Sequence, residues 1–182
     1  DLMPEFVQNI DWTLINLVHE KMSCGFLDAV MPAASMLCSG GGIWIAAGIV
    51  LLFFKKYRGY GVVLLAAVAA DFLLGEVLIK HLAARPRPFR QEEIELIVRA
   101  PSGFSFPSSH TSVSAAAAFV LAAAKRKLGL VAIPLAAVIA FSRVYLYVHF
   151  PSDVLAGAVL GTAVGFAAVM VYRKVILKKE ST

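Results

Sequence analysis

The chain has 182 residues, 59% of them hydrophobic and only 16% charged, with a net charge of +5 and a mean hydropathy of +0.78. A soluble domain carries about 45–50% apolar and about 25% charged residues. The composition therefore excludes an ordinary soluble domain and points to an integral membrane protein. The positive charge is read through the distribution of lysine and arginine among the loops, not as a nucleic-acid footprint. No helix-turn-helix or RNA-binding pattern accompanies it, and no nucleic-acid partner is expected. Cys24 and Cys38 make no disulfide framework.

The first element in chain order is residues 6–22, FVQNIDWTLINLVHEKM. Apolar and polar residues alternate there at helical spacing, which predicts an amphipathic helix lying in the membrane interface. Apolar runs follow near 25–39, 42–54, 59–80, 108–124, 128–148 and 152–177. The first two are short against the ~20 residues a span needs, and Asp28 interrupts the first. Basic segments stand at 55–58, 125–127 and 173–179. Placing all three in the cytoplasm gives about six transmembrane helices with both termini inside. The predicted fold is an all-α polytopic membrane bundle, one domain over residues 1–182. The long segment 81–107 and the short one at 149–152 then share the extracytoplasmic face.

Chemistry-bearing residues collect in those two outer segments. Lys80 ends a membrane helix, and Arg85 and Arg87 follow, each before a proline that disfavours further helix. Lys80 is placed to pair with Glu76 at i,i+4, and the arginines could snorkel to headgroups or hold phosphate. Arg85 is a further candidate for a lipid headgroup or a diphosphate. Pro107-Ser108-Ser109-His110 opens an alanine-rich helix. Ser108 or Ser109 could serve as an N-cap, while the helix N-terminus itself suits an anion. Arg143 sits at the outer end of the next helix, His149 in the turn, and Asp153 in the first turn beyond. Cations of the phosphate-clamping type thus meet two imidazoles that can divide nucleophile and acid roles. Gly157, Gly161 and Gly165 form a small-residue stripe for close helix packing within the chain or, alternatively, a dimer seam.

Lys80 with Arg87-Pro88, Pro107-Ser108-Ser109-His110, and Ser142-Arg143 with His149 and Asp153 together resemble the three-part signature of the type 2 phosphatidic acid phosphatase (PAP2) superfamily. The signature lies within residues 80–153, in order. One position departs from it: the second motif usually reads Pro-Ser-Gly-His, and Ser109 stands at the glycine. The resemblance implies a lipid phosphate phosphatase of the bacterial plasma membrane. Its substrate would be undecaprenyl diphosphate, phosphatidylglycerol phosphate or phosphatidic acid. It assigns His149 as nucleophile, Asp153 as the partner of its other ring nitrogen, and His110 as acid and then base. It assigns Lys80, Arg87, Ser108, Ser109 and Arg143 to the phosphate, at the extracytoplasmic face, with neither metal nor cofactor. Two other readings stay open: a metal site on His110, His149 and Asp153, and a transporter. The resemblance leaves the oligomeric state open.

Overall fold

The computed structural model describes residues 3–180, with side chains through residue 176; the last lysines of the 173–179 segment lie outside the described side chains. All regular structure among the described residues is helical. The order is α1 (Glu5–Met22), α2 (Gly25–Leu37), α3 (Gly42–Leu52), α4 (Arg58–Asp71), a π-helical stretch (Phe72–Ile79) running into α5 (Lys80–Ala83), then α6 (Ser109–Ala124), α7 (Arg126–Tyr145) and α8 (Pro151–Glu180).

Among the described residues, three helical stretches are long and apolar enough to cross a membrane: Arg58–Arg90, Arg126–Tyr145 and Pro151–Ile176. The apolar runs at 25–39 and 42–54 do not form two long spans. They give helices of 13 and 11 residues, bent by 48° at a break, so that together they amount to one further candidate span. Gly40 and Gly41 turn the chain there, with φ of 60° and 74°, a region open to glycine at little cost. At 16 residues, α6 is about 24 Å long, short of the ~30 Å hydrocarbon core.

The glycine stripe seats α8 on α6. A Cβ on Gly161 would stand 1.9 Å from the Ser112 carbonyl oxygen, and one on Gly165 2.8 Å from that of Ala116. Both neighbours are backbone, so neither can swing aside. Alanine-rich α6 supplies the matching small surface, with Ala116 and Ala117 fully buried. The stripe therefore serves packing within the chain. At the top of this seam the Ser108 N–H donates to the Asp153 carbonyl oxygen at 3.0 Å, which joins the starts of the two helices.

The helix α1 docks on the bundle by one face. Asp11 and Ile15 are buried, and Trp12 meets Phe150 edge-on at 4.9 Å between ring centres. Phe6, Ile10, Leu14 and Leu17 remain exposed on the opposite stripe. At the other end of the bundle, Lys125 and Lys56 both lie over the Tyr57 ring. The basic segments 55–58 and 125–127 thus share one end.

Gly161→Ala is expected to lower stability by about 1–3 kcal/mol, the usual cost of overpacking. Gly25→Ala, where nothing lies within 4 Å of the added carbon, should stay within about 0.5 kcal/mol of the parent. Thermal unfolding of the two variants in detergent checks the contrast.

Candidate active site

Two extended dipeptides carry the first prong of the site. The helix ends at Ala84, whose φ is +45°, and Pro86 and Pro88 prevent its resumption. Arg85 and Arg87 therefore leave one segment as two neighbouring arms. Arg87 donates to His149 Nε2 at 3.0 Å and to the Val148 carbonyl at 2.9 Å. Arg85 has a different destination from a headgroup or diphosphate. It is 2% exposed and donates to Asp153 Oδ1 at 2.6 Å, Ser152 Oγ at 2.8 Å and Asp11 Oδ2 at 2.7 Å. Its guanidinium lies 4.1 Å from the Phe150 ring centre.

The loop after α7 presents the second prong. The Val148 and His149 N–H groups both donate to the Arg143 carbonyl at 3.2 Å, so the chain curls back and turns His149 inward. His149 is 1% exposed. A guanidinium can only donate, so Nε2 facing Arg87 carries the lone pair and the ring proton sits on Nδ1. Burial first, then the Arg87 and Arg143 guanidiniums, Lys80 and His110, hold the imidazole well below the ordinary histidine value.

Asp153 does not hold the other ring nitrogen directly. Its Oδ2 is 3.7 Å from His149 Nδ1, beyond hydrogen-bond reach. That oxygen instead accepts from Ser105 Oγ at 2.5 Å and from the Phe150 N–H at 2.9 Å. Ser105 Oγ lies 3.4 Å from Nδ1, so the serine stands between histidine and aspartate. Ser105 and Asp11 are the site residues that the sequence reading missed. Asp11 could have been flagged as an acid among the apolar residues of α1, a costly placement without a partner. Nothing local marks Ser105.

The start of α6 forms the third prong. The N–H groups of Ser109, His110 and Thr111 precede the first turn's bond from Ser112 to the Ser108 carbonyl and have no partner within the helix. His110 and Ser109 line the same cavity as Lys80, Arg87, Arg143 and His149. Ser108 does not line it. It is fully buried, makes no side-chain cap, and its hydroxyl accepts from Thr111 at 3.1 Å. Ser109 Oγ donates to Glu76 and accepts from Lys80 at 3.0 Å, so its proton is committed to a carboxylate, not to a phosphate oxygen. Lys80 meets Glu76 at 2.6 Å, as its i,i+4 spacing predicts. Arg143 donates to Ser35 Oγ, while its buried Nε has no partner. His81 sits apart, against the Val77 carbonyl and Phe104. Among the described residues no three His, Cys, Asp or Glu side chains converge on a metal-sized site.

Two imidazoles, three cations and the free N–H groups of a helix start around one cavity are the parts of a phosphoryl-transfer site. Residues 59–177 match the PAP2 superfamily. The chain belongs to this family. An undecaprenyl-diphosphatase from Sulfolobus acidocaldarius is 34% identical over 75% of the chain and 67% of its own length. A decaprenylphosphoryl-5-phosphoribose phosphatase from Mycobacterium tuberculosis is 46% identical, and the match covers about half of each protein, 49% of both. Among solved structures, a transmembrane PAP2 type phosphatidylglycerolphosphate phosphatase from Bacillus subtilis superposes with a TM-score of 0.76 at 27% identity. That superposition covers 95% of this chain and 89% of the other. This PAP2 chain is an integral membrane protein, as its apolar helices and its relatives agree.

Two outcomes follow for the site. In 15N-labelled protein at pH about 6.5, where a free histidine is half protonated, His149 should remain neutral with its proton on Nδ1. Near that pH unfolded His149 takes up a second ring proton and folded His149 does not, so its contribution to stability falls as pH drops through about 6.5. Asp11→Ala leaves Arg85 short of one buried counter-charge and should destabilise by about 3–5 kcal/mol, readable as loss of thermal stability in detergent.

Proposed function

We propose that this PAP2 protein is a lipid phosphate phosphatase that works through a phosphohistidine. The cavity carries the reading. It measures about 760 Å³, and the two histidines and three cations occupy only one part of its wall. Ile45, Leu65, Val68, Phe72 and Leu73, from α3, α4 and the π-helical stretch, give another part an apolar lining. A phosphate held at the polar end would leave its organic part against apolar walls within the bilayer, which suits a lipid. The relatives' own substrates, a polyprenyl diphosphate and lipid-linked phosphomonoesters by name, are of this class.

His149 Nε2 attacks phosphorus with its lone pair and forms the N–P bond as the P–O bond to the lipid breaks. His110, protonated at the start, gives that proton to the departing oxygen and becomes neutral, then takes one from the water that cleaves the N–P bond and frees His149 and inorganic phosphate. The positive charge that develops on the imidazole is stabilised through Ser105 by Asp153. Lys80, Arg87, Arg143 and the first N–H groups of α6 neutralise the phosphoryl oxygens. No metal enters these steps. We place the site at the extracytoplasmic face, opposite the end where the basic segments 55–58 and 125–127 meet. The six-helix count then requires α2, α3 and the short α6 to cross, with the exposed stripe of α1 against lipid.

His149→Ala should abolish phosphate release. His110→Ala should slow release ~10²-fold or more and let an acid-labile phosphoenzyme accumulate, measured with radiolabelled lipid phosphate. Release should survive EDTA. Near-normal turnover in His149→Ala would overturn the covalent scheme. Sidedness has its own test: after Cys24 and Cys38 are removed, a cysteine at Glu93 should react with an impermeant thiol reagent on intact cells, and one at Arg126 should not.

A further inference from the structure

Glu76 is an acid on the wall of an anion site, and the mechanism above does not use it. Together with Lys80, Arg87 and Arg143 it makes up the charged lining of the cavity. One of its oxygens, Oε2, accepts both from Lys80 at 2.6 Å and from the Ser109 hydroxyl. Glu76 belongs to the π-helical stretch Phe72–Ile79, a deviation from α-helix that recurs at functional sites. Its place along that helix is informative. Lys80 lies one turn beyond it, and Phe72 and Leu73 lie one turn before it, all on the cavity wall. Glu76 therefore stands at the junction of the polar and apolar parts of the lining. A phosphate held among the cations with its tail against Phe72 and Leu73 would put the linkage between them beside this carboxylate.

We propose that Glu76, held in place by Ser109, is a specificity-determining residue that favours phosphomonoesters with a hydroxyl near the phosphate and disfavours diphosphates. The inference rests on the phosphatase reading above. Apart from the transferable proton on His110, which passes to the departing oxygen, three cations and one carboxylate leave two net positive charges on the cavity wall, which match a phosphomonoester dianion. A diphosphate brings a further negative charge, and its second phosphoryl group falls beside Glu76, where like charges repel across a partly dry wall. A hydroxyl at the same place donates to the carboxylate. Ser109 stands at the usual glycine of the motif, and its hydroxyl orients Glu76. The departure at Ser109 and the acid at position 76 are thus one device.

The test uses purified full-length protein in detergent, with Glu76→Gln and Glu76→Ala as variants. Two substrate pairs share their chains: farnesyl monophosphate with farnesyl diphosphate, and lysophosphatidic acid with its 2-deoxy analogue. The kcat/KM ratio of monophosphate to diphosphate should fall about tenfold or more in both variants, because a repulsive charge has gone. The preference for lysophosphatidic acid over the deoxy analogue should shrink about tenfold in Glu76→Ala and less in Glu76→Gln, which still offers an acceptor. A wild-type enzyme that works on these lipids, with both ratios unchanged in both variants, overturns the proposal and leaves the phosphatase reading standing. Absence of phosphate release by the wild type from all four lipids overturns both. If one variant fails to fold, the other still decides the charge effect.

Discussion

Much of the site depends on where one guanidinium goes. Arg85 is buried among Asp11, Ser152, Asp153 and the Phe150 ring. A buried cation is costly unless its donors are met by good acceptors, and removing one acceptor leaves an uncompensated charge. Arg85 thereby locks together three parts that are far apart in sequence: α1 through Asp11, the proline-rich segment, and the start of α8 through Asp153. Each part also carries a group of the site or a neighbour of one. The carboxylate beside His149 is thus oriented from behind, by a residue that never faces the cavity.

The α6–α8 seam sets the second constraint. Carbonyls of α6 take the places that side chains would occupy on Gly161 and Gly165, so these two helix backbones run in direct contact. Direct contact is what lets the Ser108 N–H reach the Asp153 carbonyl. His110 on one helix and His149 ahead of the other come to line one cavity as a result. The bonds from Val148 and His149 back to the Arg143 carbonyl complete the arrangement, since they bring the residue before the turn and the residue within it to the same place.

The sequence showed the polar half of this protein better than its apolar half. Lys80, Arg87, His110, Arg143 and His149 were legible because charged and titratable residues are rare in such a chain and fall at helix ends. All five line one cavity. Ser108 was legible as a helix start but not as a buried pin. Arg85 looked like its neighbour Arg87, and only its tertiary partners separate a buried positioning cation from one that lines the cavity. Asp11 and Ser105 act through residues dozens of positions away, which no local pattern records. The helix pair at 25–52 blurred the span count for a different reason: hydropathy reports that a stretch is apolar, and does not report a bend of 48° in its middle.

The Arg87–His149 contact has a chemical corollary. In the proposed phosphohistidine scheme, the lone pair with which Nε2 attacks is the one that accepts the Arg87 N–H at 3.0 Å. A nitrogen engaged in this way is a poor nucleophile until its donor is drawn elsewhere. A phosphoryl oxygen can draw it, because an anion outcompetes a neutral ring nitrogen for a guanidinium. An uncharged acylating or alkylating agent offers Arg87 nothing and meets a blocked nitrogen. On that scheme the histidine is chemoselective by default: the electrophile that unmasks it is the one whose own charge draws Arg87 away.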